Sequence, residues 1–248
     1  MSSLEVLPVS DLPEFTAGMD IGSEIAARAE LRDVDVVVVS QKVVSKAEGR
    51  VRRLVEVEPG NEAQRLAAKL GKDPALVELI LAESREVLRA ERGVLVVETR
   101  HGVVCANAGV DSSNMPEEGT VCLLPEDPDA SARRIRAEIR AAAGVSPAVI
   151  VADSFGRAWR LGQAEVAIGC AGLTPLDDWR GRPDAEGREL EATLVAIADE
   201  AASAADLVRT KSNRVPAAIV RGLHRFVTPD DGPGAAALPR PRKEDLFR

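Results

Sequence analysis

Aromatic residues and histidine are scarce in this chain of 248 residues. It has no tyrosine, two tryptophans, four phenylalanines and two histidines. The hydrophobic core must therefore be built mainly from valine, leucine, isoleucine and alanine. Having only His101 and His224 also argues against Ser-His-Asp catalysis and against a histidine-ligated zinc ion. Any chemistry is expected to use carboxylates, lysines, arginines and a hard metal ion.

Cysteines and long apolar runs are few, and positive charge is outweighed by negative charge. Cys105, Cys122 and Cys170 match neither a zinc site nor a disulfide framework, which predicts reduced core thiols and a cytoplasmic protein. The net charge of −8 argues against a nucleic-acid partner, because phosphate contacts need a basic surface. No apolar run approaches ~18 residues and no secretory signal is evident, so we expect no membrane span.

Short β-branched runs alternate with helical patterns along the chain. We expect one folded domain over residues 1–227, followed by a disordered tail over 228–248 that is rich in proline, glycine and alanine. The predicted strands are 4–9, 34–39, 94–99, 103–106, 121–124, 148–151, 165–170 and 217–220. The predicted helices are 21–31, 61–70, 74–90, 131–143 and 189–207.

The polar stretch over residues 152–163 directly follows a predicted buried strand. Ligands of α/β sheets usually bind just past the carboxyl ends of such strands. Asp153 and Ser154 offer hard oxygen ligands to a divalent cation, and Arg157 and Arg160 can fork onto carboxylate or phosphate. The alternative is that Asp153 and Ser154 only cap the next element and the arginines are solvated.

Two further loops have polar groups suited to a phosphate site. Residues 40–50 are predicted as a basic loop-to-strand segment, in which Lys42 and Lys46 could hold phosphate oxygens; the alternative is a solvated charged ribbon. In residues 107–114, Asp111 and Asn114 offer oxygen acceptors, or else form an Asx-rich turn without a ligand. Two separated loops that each present an aspartate could hold one or two metal ions and clamp a polyphosphate.

Three sequence motifs, taken in order, point to a known family. They are Val-Ser-Lys-Ala-Glu-Gly-Arg at 44–50, Ala-Asn-Ala-Gly-Val-Asp-Ser-Ser-Asn at 106–114 and Asp-Ser-Phe-Gly-Arg-Ala-Trp-Arg-Leu-Gly-Gln at 153–163. Val-Ala-Ile-Gly-Cys-Ala-Gly at 166–172 and Asp-Trp-Arg-Gly at 178–181 continue the pattern. Over residues 4–221 the chain resembles the coenzyme F420:L-glutamate ligase family, in its stand-alone form without a C-terminal flavin reductase domain.

The resemblance implies a reaction, cofactors and an assembly. Such enzymes use GTP and Mg²⁺ or Mn²⁺, with K⁺ as a further candidate, to join L-glutamate to the deazaflavin precursor coenzyme F420-0. They then extend the product through γ-glutamyl bonds, by way of an acyl phosphate. The family fold is a mixed α/β unit that forms an intertwined homodimer, and the predicted alanine-rich helix at 189–207 would suit packing against a partner subunit.

The resemblance also implies roles for individual residues. The positions that match the family's metal ligands are Asp111, Asp153 and Ser154. Those that match its GTP-binding positions are Leu12, Pro13, Glu14, Phe15, Gln41, Lys42, Lys46, Asn114, Arg209, Thr210, Lys211, Ser212 and Asn213. Arg157, Arg160 and Gln163 are further candidates, chosen from their chemistry, for holding the acidic acceptor or stabilising the transferring phosphoryl group.

This chain departs from the family pattern at two places. Relatives often carry smaller hydroxyl residues at Gln41 and Lys42. The loop that usually reads Gly-Lys-Ala-Asp-Gly is Thr-Lys-Ser-Asn-Arg at 210–214, and Asn213 in place of aspartate would alter base recognition. Two alternatives therefore stay open: the same chemistry on a different acceptor or amino acid, and a non-catalytic nucleotide- or deazaflavin-binding protein. An intact metal set argues against the second.

Overall fold

The computed structural model describes residues 3–113, 115, 117–209 and 213–246 of this mixed α/β chain. The strands are β1 (Glu5–Val9), β2 (Val36–Ser40), β3 (Val51–Arg53), β4 (Ser84–Glu91), β5 (Val94–Thr99), β6 (Val104–Ala106), β7 (Thr120–Cys122), β8 (Ala148–Arg157), β9 (Arg160–Ala171), β10 (Asp177–Asp178), β11 (Leu194–Val195) and β12 (Ala217–Arg221). The α-helices are α1 (Ile21–Ala26), α2 (Gln41–Ala47), α3 (Asn61–Leu70), α4 (Pro74–Ala82), α5 (Pro128–Ala143) and α6 (Ile197–Asp206). Among the described helices, none is long and apolar enough to cross a membrane.

A five-stranded sheet with the order β1-β12-β2-β8-β9 forms the centre of the fold. Strands β2 and β8 are parallel, and every other neighbouring pair is antiparallel. Val9 pairs with Ala217, Ala217 with Val39, and Val39 with Val151. The carboxyl ends of β1 and β2 therefore meet the amino end of β12 at one edge of the sheet, and β8 passes this edge at Val151 and continues to Arg157.

Helices cover both faces of this sheet, which is why its central strands are near-continuous apolar runs. Val37 and Val39 point into a core shared with α1, α2 and α5. Val36 and Val38 point the other way, into a core shared with α6. The four valines are completely buried. A third cluster lies apart, where α3 and α4 pack on the sheet formed by β4, β5 and β6.

Two local predictions were wrong about the type of element. The predicted helix over 74–90 ends at Ala82, and the chain continues as β4, which pairs with β5 through Val87 opposite Val97. Short apolar runs do not distinguish a buried helix from a strand, and here the hairpin partner decides. The predicted loop-to-strand segment over 40–50 instead contains α2, whose residues Val43, Val44 and Ala47 face the core.

The polar stretch over 152–163 is a β-hairpin and not a loop. Strand β8 continues to Arg157, the chain turns at Ala158 and Trp159, and β9 returns antiparallel. Trp159 has φ of +59°, the left-handed conformation that a tight turn needs. Alternation along β8 places Phe155 on the core side of the sheet, which favours a strand over an irregular loop.

The C-terminal part differs from the prediction in two respects. The alanine-rich helix begins at Ile197, and its alanines pack on the central sheet of the same chain, so these side chains are covered without a partner subunit. Disorder was expected from residue 228 onward. Residues 228–246 instead include two short 3-10 helices. The Asp129 carboxylate accepts hydrogen bonds from the amides of Ala235 and Ala236, and Ala235 is buried.

Candidate active site at one edge of the central sheet

Most of the predicted site residues converge at the sheet edge where β1 and β2 end and which β8 crosses. The loop after β1 has Leu12, Pro13, Glu14 and Phe15, and the helix after β2 begins with Gln41 and Lys42. Ser40 pairs with Ala152, so Asp153 follows directly on the neighbouring strand. The amide of Ser40 donates to the carbonyl of Pro216 at 2.8 Å, which brings the segment before β12 to the same edge.

An ion pair between Lys42 and Asp111 lies at the centre of this edge. Lys42 Nζ lies 2.7 Å from Asp111 Oδ2 and also donates to the carbonyl and hydroxyl oxygens of Ser113, at 2.7 and 2.8 Å. Asp111 in turn accepts from the amide of Ser113 at 2.7 Å. Burial raises the pKa of Asp111, but these hydrogen bonds and the Lys42 charge outweigh it and hold the pKa below its usual value. Asp111 is therefore ionised at neutral pH.

Asp153 is the most perturbed carboxylate of the site. Its pKa is raised to about 7, mainly by burial and in part by the charges of Glu165 and Asp111, while the Ser154 amide and Lys42 oppose the shift. A buried carboxylate close to other negative charges is costly unless a cation joins it. Such a residue is a candidate functional group on physical grounds.

The donor set fits a hard divalent cation. Asp111 and Asp153 supply carboxylate oxygens and Ser154 supplies a hydroxyl, the ligand types that Mg²⁺ and Mn²⁺ prefer. Within the described residues, no cluster of three or more His, Cys, Asp and Glu side chains could hold an ion alone. Mg²⁺ sites commonly use one or two carboxylates and leave the other positions to water and substrate phosphates.

Ser154 belongs to a buried network that the sequence analysis missed. Its hydroxyl donates to Glu165 Oε1 at 2.5 Å, and Glu165 Oε2 accepts from Arg209 Nη2 at 3.1 Å. Glu165 and Arg209 are both buried. Glu165 had seemed to be an ordinary residue of β9. The hairpin register is the signal that would have identified it, because this register places Glu165 directly opposite Ser154.

The remaining nucleotide-binding candidates have varied environments. Lys46 pairs with Glu14, which ties the loop after β1 to α2, and Phe15 is buried beneath that loop. Gln41 is buried, and its side-chain oxygen accepts from the hydroxyl of Ser45 within the same helix at 3.0 Å. The side chain of Asn213 bonds to the backbone of Val208 and Val215. Asn114, Thr210, Lys211 and Ser212 lie outside the described residues.

Three candidates chosen from their chemistry lie on the exposed arm of the β8–β9 hairpin. In the register of β8 and β9, Arg157 lies opposite Arg160 and Gln163 lies opposite Gly156, beyond the end of β2. At roughly 3.3 Å per residue, Gln163 lies about 10 Å along the arm from Asp153, and the two arginines lie farther out. Arg157 donates to the carbonyl of Leu161 at 2.8 Å within the turn. The structure does not bring these three residues together with Asp111 and Asp153 within one chain.

A groove of about 530 Å³ lies beside the β8–β9 hairpin. Phe155 and Val166, which neighbour Asp153 along and across the hairpin, line it together with Leu238 and Pro239 from the C-terminal segment. Asp111 and Asp153 are not among the described residues that line it. Its apolar walls are typical of a small-molecule site.

Comparisons with known proteins agree with the motifs. The sequence profile of the family described as F420-0:Gamma-glutamyl ligase matches residues 11–222. The coenzyme F420:L-glutamate ligase of Methanothermobacter thermautotrophicus is 44% identical over 251 aligned positions, covering 99% of each chain. Its namesake from Methanopyrus kandleri is 44% identical, covering 100% of this chain and 99% of the relative. The namesake from Archaeoglobus fulgidus is 44% identical over 89% of this chain and 88% of the relative.

Proposed function

Because the chain belongs to the F420-0:gamma-glutamyl ligase family, we propose that it adds L-glutamate to coenzyme F420-0, with GTP and Mg²⁺ or Mn²⁺. Further glutamates are added through γ-glutamyl bonds. The observation that carries the proposal is the Lys42–Asp111 ion pair beside the buried carboxylate of Asp153 at the edge of the sheet. A lysine and two aspartates in that arrangement suit a bound polyphosphate with its cation.

The proposed reaction has two steps. The terminal carboxylate of the acceptor attacks the γ-phosphorus of GTP, which forms an acyl phosphate and releases GDP. The amine of L-glutamate then attacks the acyl carbon, which forms the amide, releases inorganic phosphate and loses one proton. Neither step needs a protein nucleophile, which agrees with a site rich in lysine and carboxylate.

The residues of the edge have distinct roles in this scheme. Asp111, Asp153 and Ser154 would hold the divalent cation, which supplies charge neutralisation to the phosphates when bound. Lys42 and Lys46 are placed to donate to phosphate oxygens, and their pairing with Asp111 and Glu14 keeps both ammonium groups at the edge. The groove that begins at Phe155 offers apolar walls to the planar ring of the acceptor.

The first experiment combines the protein with GTP, Mn²⁺ or Mg²⁺, L-glutamate and coenzyme F420-0. We expect phosphate release together with a product that is heavier by one or more glutamyl units in mass spectrometry. A chelator should abolish both signals, and added Mn²⁺ should restore them. ATP in place of GTP tests the nucleotide preference. If the acceptor binds but gains no mass with any nucleotide, the ligase assignment for this acceptor is wrong.

A homodimer is proposed as the working assembly. Trp159 and Leu161 at the tip of the hairpin are 82% and 98% exposed, and exposed apolar side chains on a projecting arm are typical of a protein contact. Sedimentation analysis should show a dimer for the wild type and a shift toward monomer for Trp159→Ser/Leu161→Ser. Val55→Ser is a matched control at an equally exposed valine. A monomeric wild type, or an unchanged double variant, would contradict the proposal.

A further inference from the structure

The buried ion pair between Glu165 and Arg209 lies directly behind the metal ligands. The exposed fraction of the Glu165 side chain is 7%, and that of Arg209 is 5%. One carboxylate oxygen of Glu165 accepts from the Ser154 hydroxyl, and the other accepts from Arg209. The network therefore joins a proposed metal ligand on β8 to the segment that leads to residues 210–213.

Both members of the pair are anchored from a second side. The backbone carbonyl of Glu165 accepts from the hydroxyl of Ser203 on α6 at 2.8 Å. Arg209 Nη1 donates to the carbonyl of Pro216 at 3.3 Å, the same carbonyl that accepts from the amide of Ser40. Glu165 is thus held between β8, α6 and the segment before β12, which leaves its carboxylate little freedom to move.

Stability alone is a weak explanation for this pair. Burying two charges costs several kcal/mol of desolvation for each ion, and apolar residues of similar volume often serve as well or better. The network is also incomplete, because Arg209 Nε is buried and has no hydrogen-bond partner in the described part of the chain. A buried pair with an unsatisfied donor is better explained by what it does for its neighbour Ser154.

We propose that Glu165 is a positioning residue for the metal ligand Ser154 and that Arg209 fixes the carboxylate for this task. Because the Ser154 hydroxyl donates its proton to Glu165, its oxygen would face a cation with a lone pair. Residues that hydrogen-bond to a metal ligand without touching the metal set the orientation of that ligand. They commonly contribute about 10- to 100-fold to metal affinity. The inference rests on the proposed function to the extent that the site binds a divalent cation.

The test measures Mn²⁺ binding to the complete chain by the electron paramagnetic resonance signal of free Mn²⁺. Glu165→Gln keeps the shape of the side chain. Its amide oxygen can accept a hydrogen bond but its amide nitrogen cannot, so it cannot accept from both Ser154 and Arg209 as the carboxylate does. We expect it to weaken Mn²⁺ binding by about 10- to 100-fold. Ser203→Ala is the matched control, because it removes a bond to the Glu165 backbone and leaves the carboxylate untouched. We expect its Mn²⁺ affinity to match the wild type.

A double-mutant cycle separates positioning from general damage. If Glu165 acts through the Ser154 hydroxyl, Glu165→Gln should add nothing to the loss of affinity already caused by Ser154→Ala. Additive losses, or unchanged affinity in Glu165→Gln, would overturn the inference. Failure of the wild type itself to bind Mn²⁺ would instead remove the metal site from the proposed function. Melting temperatures measured without metal show whether each variant is folded.

Discussion

Asp153→Asn is expected to stabilise the metal-free protein at neutral pH while abolishing its metal-dependent activity. The pKa of this carboxyl is raised from 3.8 to about 7, mainly by burial, so its ionised form is disfavoured in the folded state. In the unfolded chain the group ionises near its ordinary value. At pH values between the ordinary pKa and the raised pKa, the unfolded state binds fewer protons than the folded state. The free energy of unfolding therefore falls as pH rises through this range.

The size of the effect follows from the same shift. The cost is absent below the ordinary pKa, grows as pH rises, and is complete above about pH 7. At about 1.4 kcal/mol for each pKa unit, it is on the order of 4 kcal/mol. Asparagine does not ionise, so the difference in unfolding free energy between the variant and the wild type should be small near pH 4 and largest near pH 8.

Denaturant unfolding between about pH 4 and about pH 8 in the presence of a chelator measures this difference. Glu62→Gln, at an exposed carboxylate of α3, is the control and should show no comparable trend. Added Mn²⁺ should stabilise the wild type and not Asp153→Asn, because only the wild type keeps both carboxylates. Ligase activity should fall by about 10²- to 10³-fold, as when a group that stabilises transition-state charge is removed. A pH-independent difference, or a less stable variant at pH 8, would contradict the prediction.

The sequence was most informative where a local pattern decides the structure. The valines at 36–39 and the run at 148–151 can only be buried on both faces, and both form central strands. Because those strands are parallel and adjacent, the polar residues that follow them meet at one edge. Lys42 follows β2 as expected, whereas Asp153 lies within β8, just beyond the buried run at 148–151.

Long-range pairing explains what the sequence did not reveal. The four-residue spacing of Lys42 and Lys46 fits one face of a helix, and the apolar Val43, Val44 and Ala47 on the other side show why α2 forms. The partnership of Ser154 with Glu165 depends on the register of the hairpin that turns at Ala158 and Trp159. Neither a local sequence pattern nor the composition reveals that register. Contacts between residues far apart in sequence, such as Glu165 and Arg209, have no local signature.

The second large effect is expected at Arg136, which holds the C-terminal segment to the body of the protein. Its guanidinium donates to the Asp231 carboxylate at 2.9 Å, and its side chain is 8% exposed. It also donates to backbone carbonyl oxygens on both sides, those of Ser146, Pro147, Thr228, Pro229 and Asp230. One buried side chain therefore contacts each of residues 228–231, beside the two backbone hydrogen bonds that Thr228 and Asp231 make with Gly172. The composition of the tail predicted disorder because the attachment comes from α5 and not from the tail itself.

Arg136→Met is expected to lower the unfolding free energy by about 3 kcal/mol or more. Methionine fills part of the space but leaves several buried carbonyl groups without a donor, each at a cost of about 1–3 kcal/mol unless water reaches it. Arg140→Met, one turn later on the same helix at an exposed position, is the matched control and should change stability by less than about 0.5 kcal/mol. Denaturant unfolding measures both values.

Limited trypsin digestion shows where the Arg136→Met protein loosens. If Arg136 holds the C-terminal segment, cleavage after Arg242 and Lys243 should become faster in the variant before the rest of the chain is cut, because local opening exposes the backbone there. Leu238 and Pro239 line the same groove as Phe155 and Val166, so a released segment should also raise the KM for the acceptor more than the KM for GTP. Equal cleavage rates in the variant and the wild type would show that residues 228–246 are held by other contacts, such as those of Asp129 with Ala235 and Ala236.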